Sequence, residues 1–236
     1  MAEWAAKRFW KAAGVRPEGD GWTVVLDDKP LRTPGKHPLI VPTERLARAI
    51  AAEWDAQEAV IRPETMPLTR AANSAIEKVA PQFDAVADML GAYGGSDLLS
   101  YRADAPAGLI ARQAEHWDPL LDWAGKSLEA PLKYTQGIIH IAQDEAALRN
   151  LRDELGALDV FGLTAIHDLV TLPGSLVLGL AVLKGRLTAA EAHALARIDE
   201  EFQAEQWGRD EEADASALGR LEAMKVAEQL WHLSRP

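Results

Sequence analysis

The sequence of 236 residues contains no cysteine. This absence excludes disulfide bonds, cysteine-ligated zinc or iron–sulfur centres and a thiol nucleophile. Basic residues are also scarce, because 25 Lys and Arg stand against 36 Asp and Glu and the formal net charge is −11. A chain of that charge repels the phosphate backbone, so nucleic acid is not an expected partner.

Segments that direct a protein to or through a membrane are missing as well. The start, MAEWAAKRFWK, has neither an apolar h-region nor an Arg- and Ser-rich amphipathic run, so a cytoplasmic location is predicted. The longest apolar stretch, residues 160–183, is interrupted by His167, Asp168 and a Pro173-Gly174 break. Each half is shorter than the ~20 residues that a membrane span needs. The pattern predicts a buried helical hairpin and no membrane insertion.

Catalytic and cofactor motifs are not found. The GKS at residues 125–127 lacks the glycine of a phosphate loop, since Leu120 stands at that position, and no GxGxxG, GxSxG or HExxH occurs. The six histidines include no pair at the spacing of metal ligands: His37, His116, His140, His167, His193 and His232. We therefore expect no bound metal, no cofactor and no catalytic nucleophile.

Two kinds of residue pattern divide the chain into a small N-terminal part with strand-like segments and a larger helical remainder. RFWKAA, WTVVLD, PLRTP and HPLIVP predict short antiparallel strands, with Asp27-Asp28 as a hairpin turn. Thr43 then opens a predicted helix whose residues Leu46, Ile50, Trp54 and Gln57 share one face. Prolines at 63 and 67 break this pattern, which places a domain boundary near residue 68.

Beyond that boundary the chain is predicted to be helical throughout. The expected segments are 70–80, 82–92, 106–124, 143–156, 160–171, 175–184, 188–207 and 211–232. Thr188 begins a capping-box pattern, and Gly156, Gly185 and Gly208 mark helix ends. The predicted fold class is α+β, with a small antiparallel domain over residues 1–68 and a helical bundle over 69–236.

Tryptophan is unusually frequent, since its count of 8 exceeds those of Phe and Tyr combined. The positions are Trp4, Trp10, Trp22, Trp54, Trp117, Trp123, Trp207 and Trp231. Trp54 and Trp117 fall on apolar stripes, which favours the core. Trp207 projects about 180° from Ile198 on the predicted helix, so it either packs against the last helix or contacts a partner.

The segment DEEFQAEQWGRD places acidic residues on the side of a helix where apolar ones are expected. Glu201 and Glu205 lie within about 60° of Ile198 on a helical projection. Either they extend from the edge of the helix into solvent, or they are sheltered and need a partner. The candidate internal partners are Arg70, Arg102 and Arg112.

Several of these motifs occur together in one known family. RFWK, LDDKPLRTP, EWDAQ, IRPETMPLTRAANSAIE, YGGSDLLSYRA, QAEHWDPLLDW and DEEFQAEQWG follow one another over nearly the whole chain. This order resembles the assembly chaperones that attend the alpha subunit of the F1 sector of ATP synthase. The resemblance implies a two-domain protein that holds the unassembled alpha subunit, shields its beta-facing surface and is not an enzyme. The family has mitochondrial matrix members, and the lack of a transit-peptide pattern indicates the bacterial, cytoplasmic kind. Nothing in the sequence demands more than a monomer, so the free protein is expected to be monomeric.

The resemblance also implies which residues contact the partner. The acidic and aromatic helix motif falls on Glu201, Gln203, Glu205, Trp207 and Gly208. The EWxxQ motif falls on Glu53, Trp54 and Gln57, and the SDLLSYR motif falls on Asp97, Tyr101 and Arg102. One departure from the family pattern is Asp28, where members often carry glycine.

An enzyme is the alternative from another class. In that reading a sheltered Glu205 acts as general acid or base, with Glu201 or Asp97 as its counterpart, in a hydrolase whose cleft lies between the domains. A structural adaptor for a different complex is a third possibility.

Overall fold

The computed structural model describes residues 7–236. Trp4 and the first part of the N-terminal segment considered above lie outside these residues. By contacts the chain forms two compact units. The first runs up to Phe83 and includes Val160–Thr164 and Gln229–Pro236, and the second comprises Asp84–Asp159 and Ala165–Glu228.

A four-stranded antiparallel sheet forms the base of the first unit. Its strands are β1 (Ala13–Glu18), β2 (Gly21–Leu26), β3 (Lys29–Pro30) and β4 (Ile40–Val41). The central strand β2 pairs with all three others. Its GWTVVL sequence is rich in the β-branched and aromatic residues that favour strands, and it contributes buried side chains to the core.

The predicted turn at Asp27-Asp28 is confirmed, because it joins β2 to β3 with Leu26 opposite Lys29. Asp27 has a φ of 54°, a left-handed conformation that Asp tolerates in tight turns. Its carboxylate accepts hydrogen bonds from the backbone N–H groups of Lys11 and Ala12, at 3.0 and 3.1 Å. These two bonds lower the pKa of Asp27.

The prediction of a strand at RFWKAA is wrong. The strand begins at Ala13, and within residues 7–12 the only strand-like pairing is a single bridge between Lys7 and Val60. The Arg8 side chain donates hydrogen bonds to the carbonyl oxygens of Asp55 and Gln57. Hydrogen bonds from the Arg8 side chain therefore hold this segment in place. An alternating pattern of apolar residues does not reveal such bonds.

Helix α1 (Glu44–Asp55) packs against β1 and β2, and helix α2 (Pro67–Ser74) packs against α1. The Thr43 hydroxyl caps α1 by accepting a hydrogen bond from the Leu46 N–H at 3.1 Å. A π-helical turn, Ala75–Val79, continues α2. Because α2 belongs to the first unit, the division by contacts falls at Phe83, later than the boundary predicted near residue 68.

The remaining helices follow the predicted segments closely. They are α3 (Phe83–Gly91), α4 (Ala107–Ser127), α5 (Glu145–Gly156), α6 (Val160–Thr171), α7 (Leu176–Leu183), α8 (Ala189–Ala196), α9 (Ile198–Trp207) and α10 (Glu211–Leu233). All eight residues of α7 are buried, as its uniformly apolar sequence requires. The α+β fold class with a helical domain is therefore confirmed.

Helix ends are mostly where the sequence places them. The capping box at Thr188 is present, and Gly185 and Gly208 adopt φ values of 70° and 94°. Gly156 is instead the last residue of α5, and Ala157 is the capping residue. The predicted helix 188–207 is wrong in one respect, because Arg197 interrupts it between α8 and α9 with φ −103° and ψ 15°.

Two features complete the second unit. A short parallel pair, β5 (Tyr101–Arg102) and β6 (Thr135–Gln136), was not predicted. The predicted break between α6 and α7 is confirmed, and Gly174 takes a φ of 73° there. Among the helices of residues 7–236, none has the length and apolarity to span a membrane.

Candidate partner-binding site

Helix α9 begins with an acidic first turn and is anchored by one buried residue. Asp199, Glu200 and Glu201 follow Ile198, which is 6% exposed. Carboxylates are favourable at this end of a helix because the free backbone N–H groups carry a partial positive charge. The acidic start therefore stabilises α9 at the point where the chain leaves the break at Arg197.

Polar contacts from α4 hold α9 in place. The buried Gln113 side chain donates a hydrogen bond to Asp199 Oδ1 at 2.6 Å and accepts one from the Ala103 N–H at 2.8 Å. The Arg112 guanidinium lies over the Phe202 ring, 5.1 Å from its centroid. A cation above an aromatic face is an attractive arrangement, so α9 is fixed at its start and along its middle.

Glu205 is paired with Arg112 through two parallel hydrogen bonds. Each oxygen of the carboxylate accepts a bond of 2.8 Å from one guanidinium nitrogen. Arg112 is thus the partner among the three arginines considered from the sequence. The Glu205 side chain is 51% exposed and the Arg112 side chain is 34% exposed, so the pair lies at the surface. The hydrogen bond from Arg112 lowers the pKa of Glu205, so the carboxylate stays ionised further into the acidic range than a free glutamate.

Glu201 lies between two arginines. Arg197 donates to one of its oxygens at 2.9 Å and Arg209 to the other at 2.6 Å. The hydrogen bond from Arg197 has the largest effect in lowering the pKa of Glu201, and the contact with Arg209 lowers it further. Glu201 and Glu205, the two carboxylates near the apolar side of α9, are therefore each paired with arginine and remain partly exposed.

Trp207 is the largest exposed apolar side chain of α9, with 82% of its surface open to solvent. Packing of its ring against the last helix, one of the two alternatives, does not occur in this structure. Gly208 ends the helix directly behind it. We define the α9 surface as Glu201, Gln203, Glu205 and Trp207, a set of exposed and partly exposed side chains with one unpacked ring.

The EWxxQ residues Glu53, Trp54 and Gln57 make contacts within the first unit. Gln57 is 4% exposed, and its amide bonds to Glu53 O, Thr65 Oγ1 and the Arg62 N–H at 3.0, 3.1 and 2.7 Å. The Glu53 carboxylate accepts from the N–H groups at the start of α2. Trp54 is half-buried and meets Trp10 edge to face at 5.1 Å. This geometry favours a structural role for the motif and leaves its predicted contact with a partner untested.

The SDLLSYR residues also point inward. Asp97 is fully buried and accepts bonds from Ser175 Oγ at 2.8 Å and from the Val177 and Leu99 N–H groups at 3.0 Å each. Burial raises the pKa of Asp97 against the effect of these donors.

Arg102, which is 5% exposed, forms an ion pair with Asp118 at 2.9 Å. Direct contact between a partner and Asp97 or Arg102 does not fit such burial. Sequence reasoning could not show this, because a polar motif looks the same whether it faces solvent or the core.

A cavity of about 290 Å³ lies in the second unit. Its lining includes His193, Arg197, Asp199 and Arg220 but neither Glu201 nor Glu205. A general acid at neutral pH needs a raised pKa, whereas that of Glu205 is lowered. Within residues 7–236 no cluster of His, Asp and Glu has the arrangement of a metal site. The position of Glu205 outside this cavity and its lowered pKa do not fit the hydrolase alternative.

The helical unit presents charged side chains and an unpacked tryptophan, features that are typical of a protein-binding surface. Residues 7–125 match the family model described as ATP12 chaperone protein. The chain belongs to this ATP12 chaperone family. The family predicted from the sequence motifs is thus confirmed, and with it the role of an ATP synthase assembly chaperone. Such a role is not enzymatic, so the hydrolase alternative is wrong.

Similar proteins extend this result over the full length. The crystal structure of Atp12 from Paracoccus denitrificans is 66% identical, covers 99% of this chain and 100% of its own, and superposes with a TM-score of 0.96. The Atu1473 protein from Agrobacterium tumefaciens is 42% identical, with coverages of 97% and 86% and a TM-score of 0.92. Protein atp12, mitochondrial, from Schizosaccharomyces pombe is 27% identical over 88% of this chain and 75% of its own length.

Proposed function

We propose that the protein binds the unassembled alpha subunit of the F1 sector of ATP synthase and shields the surface that later meets the beta subunit. It acts as a monomer in the bacterial cytoplasm and releases the alpha subunit when assembly proceeds. Membership of the ATP12 chaperone family supports the general role. The contact with the alpha subunit rests on the motifs of helix α9.

The observation that carries the proposal is the exposure of Trp207, at 82%, on a helix lined with ionised carboxylates. Tryptophan is strongly enriched among the residues that dominate binding energy, and a ring left unpacked in the free protein is available to a partner. Nothing in the packing of α9 requires a ring at this position. A binding role explains both its size and its exposure.

The carboxylates of the α9 surface add charge to this anchor. Glu201 and Glu205 are paired with arginines that lower their pKa, and both carboxylates remain partly exposed. Basic groups of the alpha subunit can therefore compete with Arg112 and Arg209 for the carboxylate oxygens. Exposed ion pairs contribute little net stability, so such an exchange is readily reversed when the beta subunit arrives.

A pull-down with three separate baits tests the proposal. The purified protein is offered isolated alpha subunit, isolated beta subunit and the assembled F1 sector at equal concentrations. We expect the protein to be retained only by the isolated alpha subunit, because the beta-facing surface of this subunit is covered in the assembled sector. Equal retention on the beta subunit or on the assembled sector would contradict the proposal.

A further inference from the structure

A second apolar feature lies far along the chain from α9, in the segment that contains β6 and ends before α5. Ile138 is 99% exposed, Ile139 is 76% exposed and Tyr134 is 54% exposed. The segment 134–142, with the sequence YTQGIIHIA, contains no Asp, Glu, Lys or Arg in a chain of net charge −11. We call it the isoleucine loop. Adjacent exposed apolar side chains of this size mark interaction sites in soluble proteins.

Hydrogen bonds hold the loop at its base. The Gln143 side chain accepts from the Lys133 N–H at 2.7 Å and donates to the Lys133 carbonyl at 2.8 Å. The Gly137 N–H donates to Arg102 O at 2.8 Å, and the Tyr101 hydroxyl meets His140 Nδ1 at 3.0 Å. The two isoleucines are therefore presented from a fixed framework, which reduces the entropy lost when a partner binds.

Strand β6, within the first half of the isoleucine loop, has an open edge. β6 pairs in parallel with β5, and no further strand joins this pair in the part of the chain that the structure describes. An open edge offers backbone N–H and C=O groups to an additional strand. Extended peptides use such edges, with main-chain bonds supplying affinity and alternate side chains filling apolar contacts.

We infer that the isoleucine loop and the open edge of β6 bind an extended, uncharged apolar segment of the unassembled subunit as an added strand. The absence of charge across nine consecutive residues matches an apolar segment and disfavours a charged surface or nucleic acid. An unassembled subunit exposes such segments where its neighbours are missing. This inference rests on the proposed function and adds a second contact, made by residues separate from the α9 surface.

The double variant Ile138→Asp with Ile139→Asp tests the side-chain contact. Its matched control is Leu218→Asp, which places the same charge on an exposed leucine of α10, itself 61% exposed. We expect the double variant to weaken binding of isolated alpha subunit about tenfold or more, and the control to change it less than about twofold. Unchanged affinity of the double variant would overturn the inference.

Hydrogen exchange tests the added strand directly. Addition of alpha subunit should slow exchange of the backbone amides around residues 133–139 in the unmodified protein, and faster or unaltered exchange there would also overturn the inference. Sedimentation velocity of the free protein tests whether a second copy of the chain, and not the alpha subunit, occupies the loop. A dimer that the double variant abolishes would assign the loop to a second copy and refute the inference.

A separate probe distinguishes this inference from the proposed function. If isolated alpha subunit does not bind at all, the proposed function fails and the loop is then tested with a capped peptide of alternating Val and Thr. Binding of that peptide to the unmodified protein and not to the double variant supports the loop as an apolar strand site. Failure of the peptide to bind refutes it.

Discussion

Arg112 and Glu205 face each other from helices α4 and α9 through two hydrogen bonds of 2.8 Å. The same guanidinium lies over Phe202, one turn earlier on α9. Arg112 therefore braces the outer part of α9, while the half-exposed Glu205 carboxylate remains accessible to a partner. Glu205 has two separable roles in this arrangement, one within the chain and one towards the alpha subunit.

Reversal of this ion pair separates the two roles. Glu205→Lys should abolish binding of the alpha subunit with little loss of helical circular dichroism, because exposed pairs stabilise a fold only weakly. The exchanged variant Arg112→Glu with Glu205→Arg can rebuild the bridge between α4 and α9, yet it leaves position 205 positive. We expect it also to fail in the pull-down. Recovery of binding would mean that Glu205 acts by positioning α9, and unfolding of Glu205→Lys would make the residue structural.

Trp207 and Trp117 provide a comparison within one residue type. Trp207 is 82% exposed, whereas Trp117 is 1% exposed. Trp207→Ala should leave the urea midpoint nearly unchanged and weaken the complex about tenfold or more, as expected for an anchor residue. Trp117→Ala should lower the free energy of unfolding by about 3–5 kcal/mol because it empties a core site. A loss of stability in Trp207→Ala as large as its loss of binding would argue against a contact role.

Much of the helical part and the orientation of the α9 side chains could be predicted because they depend on local pattern. The helix predicted at 160–171 coincides with α6, since its apolar period and the Pro173-Gly174 break are both visible in the sequence. Helical projection placed Trp207 on the outer side of α9 and placed Glu201 and Glu205 near its apolar side. Both observations follow from the geometry of one helix.

The break at Arg197 could not be predicted, because HALARI contains no glycine or proline to signal it. A contact from another helix supports it, since Trp117 Nε1 donates to the Leu195 carbonyl at 2.9 Å near the end of α8. The β5–β6 pair joins segments of two residues each that lie far apart in sequence, so no local pattern announces it. Contacts distant in sequence also decide that Asp97 and Gln57 face inward.

Asp97 should contribute strongly to stability through its hydrogen bonds. Its carboxylate accepts from two backbone N–H groups and from Ser175 Oγ in a fully buried site. Asp97→Ala leaves these donors without acceptors, which costs about 1–3 kcal/mol for each buried group. Ser175→Ala should lose less, about 1 kcal/mol, because it removes a helix cap while the carboxylate remains. Urea denaturation measures both, and equal stability of Asp97→Ala and the parent would contradict this assignment.

His193 should make stability depend on pH near neutrality. Burial and the neighbouring Arg197 lower the pKa of His193 below its usual 6.5. Between that lowered pKa and 6.5 the unfolded chain binds more protons than the folded one, so the free energy of unfolding falls as pH decreases through this range. His193→Asn should flatten the change in urea midpoint between about pH 7.5 and 5.5, on either side of the ordinary histidine pKa. His116→Asn, at an exposed position of α4, is the matched control and should keep the parent slope. Parallel pH profiles for His193→Asn and the parent would show that His193 does not set this dependence.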